Sequence, residues 1–298
     1  MKDRIQRILS LALLVAAALL AASCSAARYA RGLETHEIRE RYAGEGILET
    51  VTCPSSEPDL SHRRAVVYLP KDYYRDSLRR YPVLYLLHGA RGNEVTWIDS
   101  ADVLHGLDSL RQAGKARDFI LVLPNVNNYF GERDYKNGHA VNAVRAFWAV
   151  DGEVERHFVH DVVGRVDSLY RTVPDKSGRA IAGMSSGALQ SLYLFVSNPD
   201  TFDYAGLFSP YAYPGIAAMN HPDVYDGLWR KLRRKFADPP ARFDIYIGKT
   251  DFFYPHMILF DRRLTRKGYA HRFVVAEGGH EWYNWSDFYL DFCQQLFQ

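Results

Sequence analysis

Cysteine is scarce, three in 298 residues, which excludes a small domain held together by disulfides in place of a core. Charge of one sign is scarce too. The 37 Lys and Arg face 35 Asp and Glu, so no bulk field points to nucleic acid or to an anionic membrane surface as partner. Residues 8–22 form an apolar run broken by Ser10, shorter than the about 20 apolar residues that a membrane-spanning helix needs. No internal repeat and no low-complexity tract occurs, and H-E-x-x-H is absent, so a metalloprotease helix is not indicated. What remains is the composition of an ordinary globular protein, 47% apolar and 14% aromatic, long enough to bury a full core.

The N-terminus reads as an address. Lys2, Arg4 and Arg7 precede the apolar run, which ends in Ala21-Ala22-Ser23-Cys24, as a processing signal does. The last four residues resemble the lipobox of bacterial lipoproteins, in which the Cys is lipidated. Ala21 stands where that signal usually has Leu, which leaves ordinary secretory cleavage open. The organisation expected is a signal peptide over 1–23, a tether or lead-in over 24–45, and one catalytic domain over 46–298. Lipidation at Cys24 would make membrane attachment a matter of that anchor alone, and either route places the protein outside the cytoplasm. Cys53 and Cys293 then remain. They either pair in an oxidising compartment or serve as two small buried residues.

From Gly46 onward, short apolar runs alternate with helical patterns. Strands are predicted at 65–69, 83–87, 119–123, 180–182, 204–208, 243–247 and 272–276, several of them apolar throughout, as strands covered on both faces are. Helices are predicted at 162–170, 188–196, 224–236, 257–266 and 285–297. The alternation indicates a single α/β domain with a mostly parallel sheet. In such sheets chemistry gathers in the loops beyond the carboxyl ends of the strands.

After the strand at 180–182 comes Gly183-Met184-Ser185-Ser186-Gly187, followed by a helical run. This is G-x-S-x-G between strand and helix, where a sharp turn lifts the Ser185 hydroxyl above the sheet. Neither Cys53 nor Cys293 lies in a comparable Gly-flanked turn. The partners of such a serine follow in the order Ser, acid, His, each at a strand end. His280 lies beyond the last strand, after Gly278-Gly279, whereas His221 and His256 sit at helix starts. Asp251 follows the penultimate strand and would orient the imidazole and stabilise the imidazolium. Asp244 lies inside that strand, and Glu281 adjoins the histidine too closely to orient it. Backbone N–H groups of Ser186 and of Ala90, in the turn after Leu87-His88-Gly89, are the expected oxyanion donors. His88 itself is read as a structural hydrogen-bonder of that loop.

Together these pieces resemble the esterase D branch of the α/β-hydrolases, which includes feruloyl esterases, acetylxylan esterases, S-formylglutathione hydrolases, siderophore esterases and mycolyltransferases. The resemblance is carried by Val67-Tyr68-Leu69-Pro70 with Asp72-Tyr73, and by Tyr81-Pro82-Val83-Leu84-Tyr85-Leu86-Leu87-His88-Gly89. Ala180-Ile181-Ala182-Gly183, Asn198-Pro199-Asp200-Thr201-Phe202 and Gly278-Gly279-His280-Glu281-Trp282 extend it to the C-terminus. It implies an α/β-hydrolase fold without a large lid domain, with Ser185, Asp251 and His280 in the catalytic positions. At the elbow the family usually reads G-x-S-M-G-G, whereas Ser186 and Ala188 stand here, which changes the packing beside the acyl pocket.

The reading that follows is a serine carboxylic-ester hydrolase working through an acyl-enzyme on feruloyl or acetyl esters of polysaccharide, with no cofactor and no metal. Two alternatives stand beside it, an acyltransferase of the mycolyltransferase type and a surface lipoprotein that binds glycan without turnover. Trp97, Phe252 and Trp282 are expected to bind substrate, with Tyr129, Phe253 and Tyr283 also near the mouth. His157 and His160 have a metal-like spacing but no evident third ligand.

Overall fold

The computed structural model describes residues 38–298 except 41, 43, 55, 57–61, 91, 127–149, 151 and 214–220. The signal segment, Cys24, most of the proposed tether and Tyr129 therefore lie outside the described residues. Eight strands form one sheet: β1 (Ile47–Pro54), β2 (His62–Leu69), β3 (Val83–Leu87), β4 (Ile120–Pro124), β5 (Arg179–Met184), β6 (Tyr204–Phe208), β7 (Arg242–Gly248) and β8 (Arg272–Ala276). Their order is β1-β2-β4-β3-β5-β6-β7-β8. β2 runs antiparallel to both β1 and β4, and every other pairing is parallel.

The helices in chain order are α1 (Thr96–Ala101), α2 (Val103–Gln112), α3 (Glu153–Phe158), α4 (Gly164–Leu169), α5 (Ser186–Ser197), α6 (Pro222–Tyr225), α7 (Leu228–Lys235), α8 (Tyr254–Arg266) and α9 (Trp282–Cys293). A π-helical turn, Val159–Val163, joins α3 to α4. Side chains alternate across each strand, and the core divides accordingly. Val83, Tyr85 and Leu87 of β3 belong to a cluster with residues of α3, α5, α7 and α8. Leu84 and Leu86 point the other way, into a cluster with α1, α2 and α9. Being apolar on both faces is what burial between two helical layers requires, and β3 and β5 are buried at every position.

Three differences from the sequence expectation have local causes. β1 pairs with β2 along its whole length, but at the sheet edge its burial is partial, so its apolar pattern is weak. The helix expected over 224–236 is two helices, broken at Gly227, which takes φ 70°. Cys53 and Cys293 are both buried and neither is in a disulfide, and they belong to the clusters on opposite faces of the sheet. The sheet itself keeps them apart, so the pairing alternative is overturned. Burial pushes the Cys293 thiol up to about 12, as for an inert core thiol. Among the described residues no helix is long and apolar enough to cross a membrane.

Candidate active site

β5 ends in a turn that only small neighbours permit. Ser185 takes φ 55° and ψ −119°, a conformation sparsely populated by residues with a side chain. It is held there by its own N–H, which donates to Phe208 O of β6 at 2.9 Å. A Cβ at Gly183 would lie 2.6 Å from Gly187 O, and one at Gly187 would lie 2.7 Å from Leu87 O and still closer to His88 O. The glycines two before and two after the serine are therefore demanded by backbone packing of the elbow on itself and on the end of β3. α5 begins at Ser186, whose N–H is one of the first-turn donors without an acceptor in the helix.

The histidine arrives from the other end of the chain. Beyond β8, Gly278 takes φ 87° and the chain doubles back so that His280 precedes α9. Two groups pin this turn: Asn284, which the sequence reading does not single out, and Glu281, which it only sets aside as the acid. The Asn284 amide, 1% exposed, donates to Gly279 O at 2.9 Å, and the Glu281 carboxylate accepts from Gly279 N at 2.8 Å. The available signal was spacing, since Asn284 lies one helical turn after His280.

Asp251 follows β7 in a turn closed by its own N–H on Gly248 O at 3.1 Å. Its Oδ1 accepts from Phe253 N at 2.9 Å, and its Oδ2 lies 2.9 Å from His280 Nδ1. The second ring nitrogen, Nε2, lies 2.9 Å from Ser185 Oγ. A carboxylate accepts only, so Nδ1 carries the proton and Nε2 accepts from the serine hydroxyl. The Asp251 carboxylate is wholly buried and the imidazole nearly so. The ring is boxed in by Phe252 at 4.5 Å, Phe253 at 5.5 Å and the edge of Trp285 at 4.9 Å. Trp285 is itself tied by Nε1 to Ser209 Oγ at 3.0 Å. Asp244 and Glu281 stay out of this chain of bonds: Asp244 binds Arg242 at 2.7 Å, and Glu281 serves the turn.

The loop after β3 packs on the elbow. A Cβ at Gly89 would lie 3.1 Å from Met184 Cε, so Gly89 runs beside the residue that precedes Ser185. His88 holds this loop in place. Its Nδ1 lies 2.8 Å from Gly89 O and so donates, while Nε2 accepts from Val126 N, beyond β4, at 3.0 Å. Burial lowers its pKa to about 4, which keeps the ring neutral.

Of the three aromatic residues expected to meet substrate, Trp97 is corrected. It is 1% exposed, donates from Nε1 to Leu87 O at 3.0 Å and packs on Phe208, Trp282 and Tyr289. It is a core residue beneath the elbow. Phe252 and Trp282 are half-buried, Phe252 against His280 and Trp282 across the edges of Trp97 and Trp285. Of the remaining mouth candidates, Phe253 packs on His280, whereas Tyr283 projects into solvent. His160 is 82% exposed at its side chain and binds Asp161 at 2.8 Å. Among the described residues no group of three His, Cys, Asp or Glu is gathered.

Comparison with known proteins places this architecture. The family model "Putative esterase" matches residues 60–247, more than half of the chain. A curated relative, an endo-1,4-beta-xylanase/feruloyl esterase of Xylanibacter ruminicola, is 29% identical over 248 residues, covering 82% of this chain. The chain spans only 30% of that relative's length. A ferulic acid esterase of Anaeromyces mucronatus superposes with a TM-score of 0.67 at 23% identity, over 85% of this chain and 91% of that one. An S-formylglutathione hydrolase of Staphylococcus aureus gives 0.66 at 17% identity, over 85% and 98%. The fold is thus the α/β-hydrolase fold, and the chain belongs to the esterase family.

Proposed function

We propose that this esterase is a serine enzyme that removes feruloyl or acetyl groups from polysaccharide through an acyl-enzyme. The observation that carries the reading is the unbroken hydrogen-bond chain from Asp251 through His280 to Ser185, ending at a serine with φ 55°. In this mechanism Ser185 Oγ attacks the ester carbonyl while His280 Nε2 takes its proton. The resulting imidazolium is stabilised by Asp251, and the N–H groups of Ser186 and Ala90 hold the oxyanion. His280 then returns the proton to the leaving alcohol. It next activates water against the acyl-Ser185 ester, releasing the acid and restoring the hydroxyl.

Phe252, packed on the His280 ring, and the half-buried Trp282 would contact the acyl or alcohol group. The feruloyl esterase named among the relatives supports that choice of acyl group. The N-terminal sequence further supports an extracytoplasmic protein lipidated at Cys24. Labelling with an azido-palmitate, lost in Cys24→Ala, is the expected result.

The deciding experiment compares initial rates on p-nitrophenyl acetate, p-nitrophenyl butyrate and methyl ferulate for wild type and Ser185→Ala. A fall in kcat/KM of roughly 10⁴-fold or more is expected in the variant. Equal activity in the folded variant would refute the assignment of Ser185.

A further inference from the structure

The chain is close to electroneutral, but its cations are unevenly spread. α7 carries Arg230, Lys231, Arg233, Arg234 and Lys235 and no acid. α8 adds Arg262, Arg263 and Arg266, with Lys267 at its C-cap, against one acid, Asp261, which is paired with His271 at 3.0 Å. The two helices meet through Trp229, whose ring lies 5.5 Å from Phe260 and 4.0 Å beneath the Arg263 guanidinium.

Three of these cations have internal partners. Lys231 donates to Val224 O, Arg234 to Ser197 O at 2.8 Å, and the buried Lys235 to Pro199 O and Phe202 O at 2.7 and 2.5 Å. Arg230, Arg233, Arg262, Arg266 and Lys267 are exposed, and among the described residues none has a carboxylate within ion-pair distance. Unpaired like charges on adjacent helices repel one another, so the face stands ready for an anionic partner.

This face is joined to the candidate active site by rings. From His280 the path runs to Phe253 at 5.5 Å and then to Tyr211, stacked on Phe253 at 4.9 Å. Two residues further, Tyr213 is 58% exposed, and its hydroxyl accepts from Trp229 Nε1 at 3.1 Å. An exposed tyrosine fixed by a neighbouring indole offers a flat surface for a sugar ring, with guanidinium groups beside it.

We propose that Tyr213 and the cationic face of α7 and α8 bind a polysaccharide chain bearing uronate carboxylates, and present its esters to Ser185. Only the presentation to Ser185 rests on the serine-esterase reading; the binding does not. One feature favours a glycan over an anionic bilayer. Leu259 is the one large exposed apolar side chain of α8, so the face has little to insert between lipids.

The test is affinity electrophoresis of the full chain, wild type and Ser185→Ala, through gels holding polygalacturonate or neutral arabinoxylan, with co-sedimentation on vesicles containing phosphatidylglycerol. Polygalacturonate is expected to retard both proteins, with affinity falling about tenfold between about 0.02 M and about 0.2 M NaCl. The triple variant Arg233→Gln/Arg262→Gln/Arg266→Gln should lose the retardation and keep the wild-type rate on p-nitrophenyl acetate. Tyr213→Ala should weaken the retardation several-fold. Equal retardation by neutral polymer, retention of binding in the triple variant, or binding to vesicles without binding to polygalacturonate would each overturn the proposal. Polygalacturonate binding that depends on these arginines, in a protein without Ser185-dependent turnover, would leave this inference standing and sink the serine-esterase reading.

Discussion

His88 should make the protein acid-sensitive between about pH 6.5 and about pH 4. The neutral ring donates from Nδ1 to Gly89 O and accepts at Nε2 from Val126 N, so a second proton would displace the Val126 bond and place a charge in the core. Burial lowers its pKa from 6.5 to about 4. The unfolded chain then binds a proton between those values that the folded chain refuses. Stability is full above pH 6.5 and is lost as pH falls toward 4. Integrating the linkage gives a loss of about 2.5 kcal/mol by pH 4.5. The carboxylates whose pKa values are held low, Asp161, Asp175, Asp223, Asp238 and Asp291, act below that window, and Asp244, raised by burial, has the opposite sign in wild type and variants alike.

The assay is urea denaturation followed by tryptophan fluorescence at pH 7.5, 6.5, 5.5 and 4.5. It should be run on wild type, His88→Asn (which keeps a donor toward Gly89) and His88→Gln (which keeps an acceptor for Val126). Each variant forfeits one hydrogen bond, about 1 kcal/mol, at all pH values. The wild-type curve should descend toward the variant curves as the pH falls, and the gap should reverse at about pH 5.8, where the linkage loss reaches about 1 kcal/mol. Parallel profiles would refute the argument, since a ring that titrates normally in the fold carries no linkage.

Further outcomes can be checked on the same footing. Gly187→Ala should destabilise by about 3 kcal/mol or prevent folding, because its methyl would meet the backbone oxygens of Leu87 and His88; thermal denaturation measures it. Asn284→Ala should fold yet lose roughly ten- to a hundredfold in kcat/KM on p-nitrophenyl acetate, because the turn that carries His280 loses its tie to Gly279 O. Lys235, pushed down to about 8 chiefly by burial, binds a proton less readily folded than unfolded. Wild type should therefore gain about 2 kcal/mol relative to Lys235→Met as pH rises from 7.5 to 9.5, measured by urea denaturation.

How much of this was legible in the sequence depended on whether the signal was local. β3, β6 and β8 were bounded correctly because an apolar run flanked by polar residues is the same pattern in the chain and in the sheet. The meeting of Ser185, Asp251 and His280 was inferable because each directly follows a strand, and parallel strands bring those ends to one edge. Trp97 was misread because its neighbours in sequence do not disclose α1 and the indole bond to Leu87 O. Asn284 escaped notice because a buried amide that braces a turn has the same one-letter neighbourhood as one facing water. The separation of Cys53 from Cys293 follows from which face of the sheet each occupies, a property of register and packing that spacing does not encode.

The strand order has a temporal consequence. Ser185, Ala90, Asp251 and His280 hang from β5, β3, β7 and β8, and β8 closes the row at an open edge with a single neighbour. The bond from His280 to Ser185 joins residues 95 apart in the chain, and contacts of such separation cost loop-closure entropy before they reward it. A refolding molecule can therefore acquire most of its sheet, its helices and its buried tryptophans while the imidazole is still away from the hydroxyl. Regain of ester hydrolysis should lag behind recovery of fluorescence, and the length of that lag would clock the docking of the final strand.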